Sequence, residues 1–115
     1  MRGAGAILLL LAAAACGWTP ADEQVLIEFF ERAELHDTTR LAAVATVTFN
    51  PKVEGVVERF EIVERGPEQP LEGGGARREL RLAAIVRSPG GVEGERELRV
   101  TLDRGEGGWM VTRVR

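Results

Sequence analysis

The chain has 115 residues, with 15 basic and 18 acidic side chains, one histidine, one cysteine and no tyrosine, for a net charge of -3. A single cysteine forbids an internal disulfide, and with only one histidine beside it the usual nitrogen and sulfur ligand sets for a transition metal cannot be assembled. Charges of both signs are interspersed, so no basic stripe or tail offers itself to nucleic-acid phosphates.

Met1-Arg2 supplies a short cationic start, and Ala4 to Ala15 is an unbroken run of small and apolar residues containing Ile7 and Leu8 to Leu11. A membrane-crossing helix needs about 20 residues, so this run reads as the core of a signal peptide spanning residues 1–15. The small residues Ala13 and Ala15 alone suit ordinary signal peptidase. Cys16, standing immediately after them, resembles the lipid-modified cysteine of bacterial lipoproteins. That resemblance implies a diacylglycerol on the Cys16 thiol, further acylation such as palmitate, and an anchor facing the periplasm or the exterior. Two or more chains, at about 0.8 kcal/mol per buried CH₂, make such an anchor stable. Gly17, rather than an aspartate, follows the cysteine, which in a Gram-negative host points to the outer membrane. Loss of the leader removes Arg2 alone among charged residues, so 14 basic and 18 acidic side chains remain, a net of -4.

Residues 16–19 form a short tether and residues 20–115 one domain. Two or three extended residues reach about 10 Å, which holds the domain against the membrane surface. Thr19-Pro20-Ala21-Asp22 reads as a helix start, with Thr19 as N-cap, Pro20 at the first helical position, and Asp22 and Glu23 facing the positive end of the dipole. Val25, Leu26, Phe29, Phe30 and Ala33 then recur at helical spacing, while Glu23, Gln24, Glu28, Glu31 and Arg32 take the other face. A second, shorter helix opens at Asp37 or Thr38 and carries Leu41, Ala42, Val44 and Ala45 inward before Asn50-Pro51 stops it.

After Pro51 the period becomes two. Val56, Glu58, Phe60, Ile62 and Glu64 alternate against Val57, Arg59, Glu61 and Val63 in a strand whose core side carries Phe60 and Ile62. A loop from Gly66 to Gly75 precedes a second strand over Arg77 to Arg87, with Leu80, Leu82, Ala84 and Val86 on one face. Turns at Ser88-Pro89-Gly90-Gly91 and Arg104 to Gly108 bound a third strand over Glu95 to Asp103 and a fourth over Trp109 to Arg115. The expected fold class is therefore α+β: an N-terminal helix and a short second helix packed on a curved four-stranded antiparallel sheet.

Val25-Leu26-Ile27-Glu28-Phe29-Phe30-Glu31-Arg32-Ala33, then His36-Asp37-Thr38-Thr39-Arg40-Leu41-Ala42-Ala43, and the ending Gly107-Gly108-Trp109-Met110-Val111-Thr112-Arg113-Val114 resemble the first two helices and the last strand of small nuclear transport factor 2-like domains. The likeness covers Pro20 to Arg115. It implies a helix laid across a sheet, and a superfamily of isomerases, dehydratases and binding modules, so chemistry must be asked of the residues.

Isomerase-type members need a tyrosine in the oxyanion hole, and this chain has none. Dehydratase-type members use a His and Asp dyad, whereas His36 and Asp37 are adjacent at a helix entry and read as loop residue and helix cap. Ser88 precedes Pro89 in a turn, with no second histidine as base and no Gly-x-Ser-x-Gly. The glycine clusters lack phosphate-loop spacing. The expectation is a non-catalytic module with no cofactor or metal, anchored through Cys16 and engaging another envelope protein. The alternative is a small-molecule or lipid-binding module whose pocket, between helix and sheet, is lined by Phe29, Phe30, Phe60, Ile62, Leu82 and Trp109. An enzyme would require a cleft carboxylate of raised pKa, with Glu61 or Asp103 as candidates.

Overall fold

The computed structural model describes residues 19–115; the leader 1–15, Cys16 and Trp18 lie outside the described residues. Helix α1 runs over Ala21–Glu34 and buries Val25, Leu26, Phe29, Phe30 and Ala33, the stripe read from the spacing. Its start lies one residue later than expected. Pro20, with extended backbone (φ -55°, ψ 149°), is the N-cap in place of Thr19, and its carbonyl accepts the Gln24 N–H at 2.9 Å. The capping oxygen comes instead from Asp22, whose carboxylate accepts the Glu23 N–H at 2.7 Å.

The helix ends in a double backbone bond: His36 N–H donates to the Ala33 carbonyl and Asp37 N–H to that of Arg32. This arrangement needs a left-handed residue at the first position past the cap, and His36 occupies it with φ 55°. Helix α2, Thr38–Leu41, starts on Asp37, whose carboxylate accepts the Arg40 N–H at 3.1 Å. It is shorter than the pattern suggested. Leu41, Val44 and Ala45 are buried but Ala42 is exposed, because the chain leaves the helix at Ala42.

Five strands follow: β1 (Val56–Arg65), β2 (Gln69–Pro70), β3 (Ala76–Arg87), β4 (Glu93–Gly105) and β5 (Gly108–Val114). They form one antiparallel sheet in the order β1-β3-β4-β5, with the two-residue β2 also pairing with β3. Over the described residues the fold is thus α+β, with two helices and an open sheet. The short β2 had no sequence signal beyond a Pro and Gly loop. β3 and β4 pair without interruption from Ala76↔Arg104 to Arg87↔Glu93, so their alternation is strict. Leu80, Leu82, Ala84, Leu98, Val100 and Leu102 face the helix and are fully buried together with Leu26, Phe29 and Val111. Each such aliphatic side chain contributes about 1.5 to 3 kcal/mol on burial, which makes this face the main stabiliser.

β1 departs from the expected alternation. Register shifts at Val57/Arg59 and Ile62/Glu64 insert two extra residues. Val57 pairs with Val86, Phe60 with Ala84, Ile62 with Leu82 and Arg65 with Leu80, all on the helix side. Arg59, Glu61 and Glu64 oppose Ile85, Ala83 and Arg81 on the outer face. Glu64, read as sharing a face with Ile62, therefore points away from the core, and Arg65 takes the inward position, because each bulge reverses the alternation. Entry to β1 depends on Gly55, whose φ of 95° and close approach to the Arg87 carbonyl leave no room for a Cβ.

The two edges of the sheet are finished differently. Against β5 lies the segment after α2: Val111 N–H donates to the Val44 carbonyl at 2.8 Å, and Thr46 N–H to the Val111 carbonyl at 2.9 Å, giving an isolated parallel bridge at Ala45. Among the described residues, β1 has β3 on one side and no strand on the other.

Candidate functional site

Between α1 and the first half of β1 runs an open groove of about 480 Å³, lined by Glu23, Ile27, Phe30, Glu31 and Glu34 from the helix and Val57 to Phe60 from the strand. Helical spacing creates its wall. Glu23, Ile27, Glu31 and Glu34 lie three and four residues apart and share one face. Ile27 is 45% exposed, a large apolar residue outside the buried stripe. Phe30 forms the floor, held edge-on to Phe29 and Phe49 and tilted to Phe60 at 5.6 Å between ring centroids.

The electrostatics are one-sided. Glu58 is paired with Arg87 at 2.6 Å and Arg59 with Glu93 at 4.0 Å. Glu23, Glu31 and Glu34 have no cationic side chain within ion-pairing distance among the described residues. An apolar floor, an unpaired strand edge and three uncompensated carboxylates therefore share one groove. The sequence pattern had placed Glu23 and Glu31 on a solvated face; the missed signal was Ile27, an aliphatic residue on the charged side of the wheel.

The six residues read as a pocket lining converge on one cluster, but at different depths. Phe29 and Leu82 are fully buried, Phe30 is buried, and Phe60, Ile62 and Trp109 pack against them half-exposed. Phe30 and Phe60 reach the groove, whereas Phe29 and Leu82 are filled in by their neighbours. Trp109 sits at the other end of the sheet, with the Arg78 and Arg104 guanidinium carbons 5.7 and 5.0 Å from its ring centroid.

That end carries a buried charge. Asp22, 3% exposed, accepts from Arg65 Nε at 2.9 Å and Arg78 at 3.3 Å, tying the start of α1 to β1 and β3. Glu68 pairs with Arg78 Nη2 at 3.8 Å and with Arg104 Nη1 at 2.5 Å, while the buried Arg78 Nε has no hydrogen-bond partner among the described residues. Asp22 had been read only as a helix-dipole residue. The bulge that turns Arg65 inward makes it a structural anchor.

The residues weighed for chemistry lie apart. His36 is exposed at the end of α1, and Glu61 is exposed on the outer sheet face. Asp103 receives two bonds from Arg77, at 2.7 and 2.9 Å. The bonded guanidinium holds its carboxyl below the usual range despite partial burial, the reverse of the raised value a catalytic acid would need. Among the described residues there is no group of three His, Cys, Asp or Glu able to hold a metal, and no helix long and apolar enough to cross a membrane. No family model, curated protein or solved structure matches this chain.

Proposed function

We propose that this chain is a bacterial envelope lipoprotein, anchored through lipid on Cys16, whose single domain is a small, non-catalytic interaction module of the nuclear transport factor 2-like type. The observation that carries the reading is the position of Cys16, directly after the apolar leader and only four residues before Pro20, where the helix cap begins. So short a tether holds the domain within about 15 Å of the lipid surface, within reach of other envelope proteins. The two bulges of β1 support a curved sheet, since bulges increase local twist and bend the strand.

The groove beside β1 supports protein binding over the small-molecule alternative. It is an open channel along a strand edge that no described strand pairs, while of the six residues named for a pocket Phe29 and Leu82 are closed off in the core and Trp109 lies at the other end of the sheet, leaving Phe30 and Phe60 to the groove. Engagement of a partner at an open sheet edge draws on backbone hydrogen bonds that no small ligand needs.

The anchor is tested by Cys16→Ser in the full chain. The substitution should shift the protein from the membrane fraction to the soluble one and remove the acyl mass from a chain beginning at residue 16. Retention in the membrane fraction by an integral-protein criterion would overturn the anchor.

A further inference from the structure

We propose that the groove between α1 and β1 receives a short, extended, basic segment of a partner protein, added as a strand to the free edge of β1. This deepens the interaction-module reading and rests on it.

The length of the groove sets the length of the segment. From Glu23 to Glu34 the helix rises about 16 Å, the span of about five residues in an extended strand. The edge supplies the pairing. β1 is ten residues long and, among the described residues, paired with a strand on one side only, so its outward N–H and C=O groups are available to an added strand. The floor of Ile27, Phe30, Val57 and Phe60 accepts apolar side chains.

Charge selects the occupant. The lining carries four glutamates and one arginine; Glu58 and Arg59 are already paired on the sheet, and Glu23, Glu31 and Glu34 remain uncompensated among the described residues. Lys and Arg fit such a site, because their aliphatic stems lie along an apolar floor while their heads reach the carboxylates. A second copy fits poorly, since its own groove would bring glutamates against glutamates. On the outer face Arg59–Glu93, Arg77–Asp103, Arg81–Glu64 and Arg115–Glu79 pair across the strands, and the hollow where Glu61 and Glu95 lie without an ion pair among the described residues is smaller, about 270 Å³, and away from the free edge groups that face α1.

The test is a titration of the full chain in detergent micelles with a labelled octapeptide of alternating lysine and valine, read by fluorescence anisotropy beside its glutamate–valine counterpart. The expected result is saturable binding of the basic peptide and none of the acidic one. Glu31→Lys with Glu34→Lys should weaken the basic peptide at least about tenfold and admit the acidic one. Both positions are exposed, so the variant keeps its fold, checked by circular dichroism. Ile27→Asp should abolish binding of either peptide. Equal affinity of the wild type and the double variant for the basic peptide, or no binding by the wild type, overturns the proposal. So does a concentration-dependent dimer that Ile27→Asp dissolves, which would give the groove to a second copy. The broader reading fails by a separate result: native mass spectrometry of the chain extracted from its own host showing lipid but no protein partner.

Discussion

The two edges of the sheet face the same physical problem, a row of unpaired backbone groups, and meet it in opposite ways. At β5 the chain returns after α2 and closes the middle of the row at Val111 with the Val44 and Thr46 bonds, burying Leu41, Val44 and Ala45 beside it. At β1 no described segment returns. The edge is bulged twice and studded with charge, devices that discourage indiscriminate pairing, and it is flanked by an apolar, acid-rimmed groove. An edge guarded in this way is still accessible to a partner of matching charge, which is why the contrast bears on function.

The same chemical change at the two edges should separate them most sharply. Val44→Asp places a charge in the seal, at a residue 7% exposed, and should cost about 3 kcal/mol or more, seen as a large fall in Tm. Ile27→Asp in the groove should cost under about 1 kcal/mol, since its side chain already meets water. Comparable losses at the two positions would mean that the groove is as closed as the seal.

The next effect concerns the tie that sets where α1 lies beside β1. Asp22→Ala strips Arg65 and Arg78 of a shared buried carboxylate and should cost about 2 to 3 kcal/mol by denaturant unfolding. It should also weaken peptide binding at the groove, because the helix wall loses its attachment to the strand. A smaller and opposite change belongs to the other end of α1. His36→Gly relieves a left-handed histidine and should add about 0.5 to 1 kcal/mol without touching the groove.

The smallest effect lies on the outer face. The Asp103 carboxyl is held below its unfolded value by Arg77, so its contribution is present above the ordinary aspartate range and lost as pH falls through the lowered value. Asp103→Asn should therefore flatten the acid limb of the stability curve below about pH 4 and leave groove binding unchanged. An unchanged acid limb would show that the pair contributes nothing.

How far the sequence could be read follows from the same contrast. β3 and β4 were legible because their alternation is unbroken, and α1 because its stripe recurs at 3.6 residues. β1 was placed correctly and Phe60 and Ile62 do face the core, but the positions outside them were not assigned to the right face, since two bulges reverse the alternation and no residue in Val56 to Arg65 announces a bulge. The seal at Ala45 was illegible because it is made with Val111, far along the chain. The groove was half legible: Phe30 and Phe60 were named, for a pocket between helix and sheet, but the carboxylates beside them fell on the charged face of the helix and gained meaning only with the placement of β1 beside α1. The proposed lipid site at Cys16 rests on the sequence alone, lying outside the described residues.

Native-state hydrogen exchange of the full chain in micelles tests the central contrast most directly. The account predicts that the Val111 amide, closed by Val44, is among the slowest to exchange, and that alternate amides of β1 between Val57 and Val63 exchange fast until the basic peptide is added. Uniform, slow exchange along β1 without any partner would contradict it, because the edge would then already be covered.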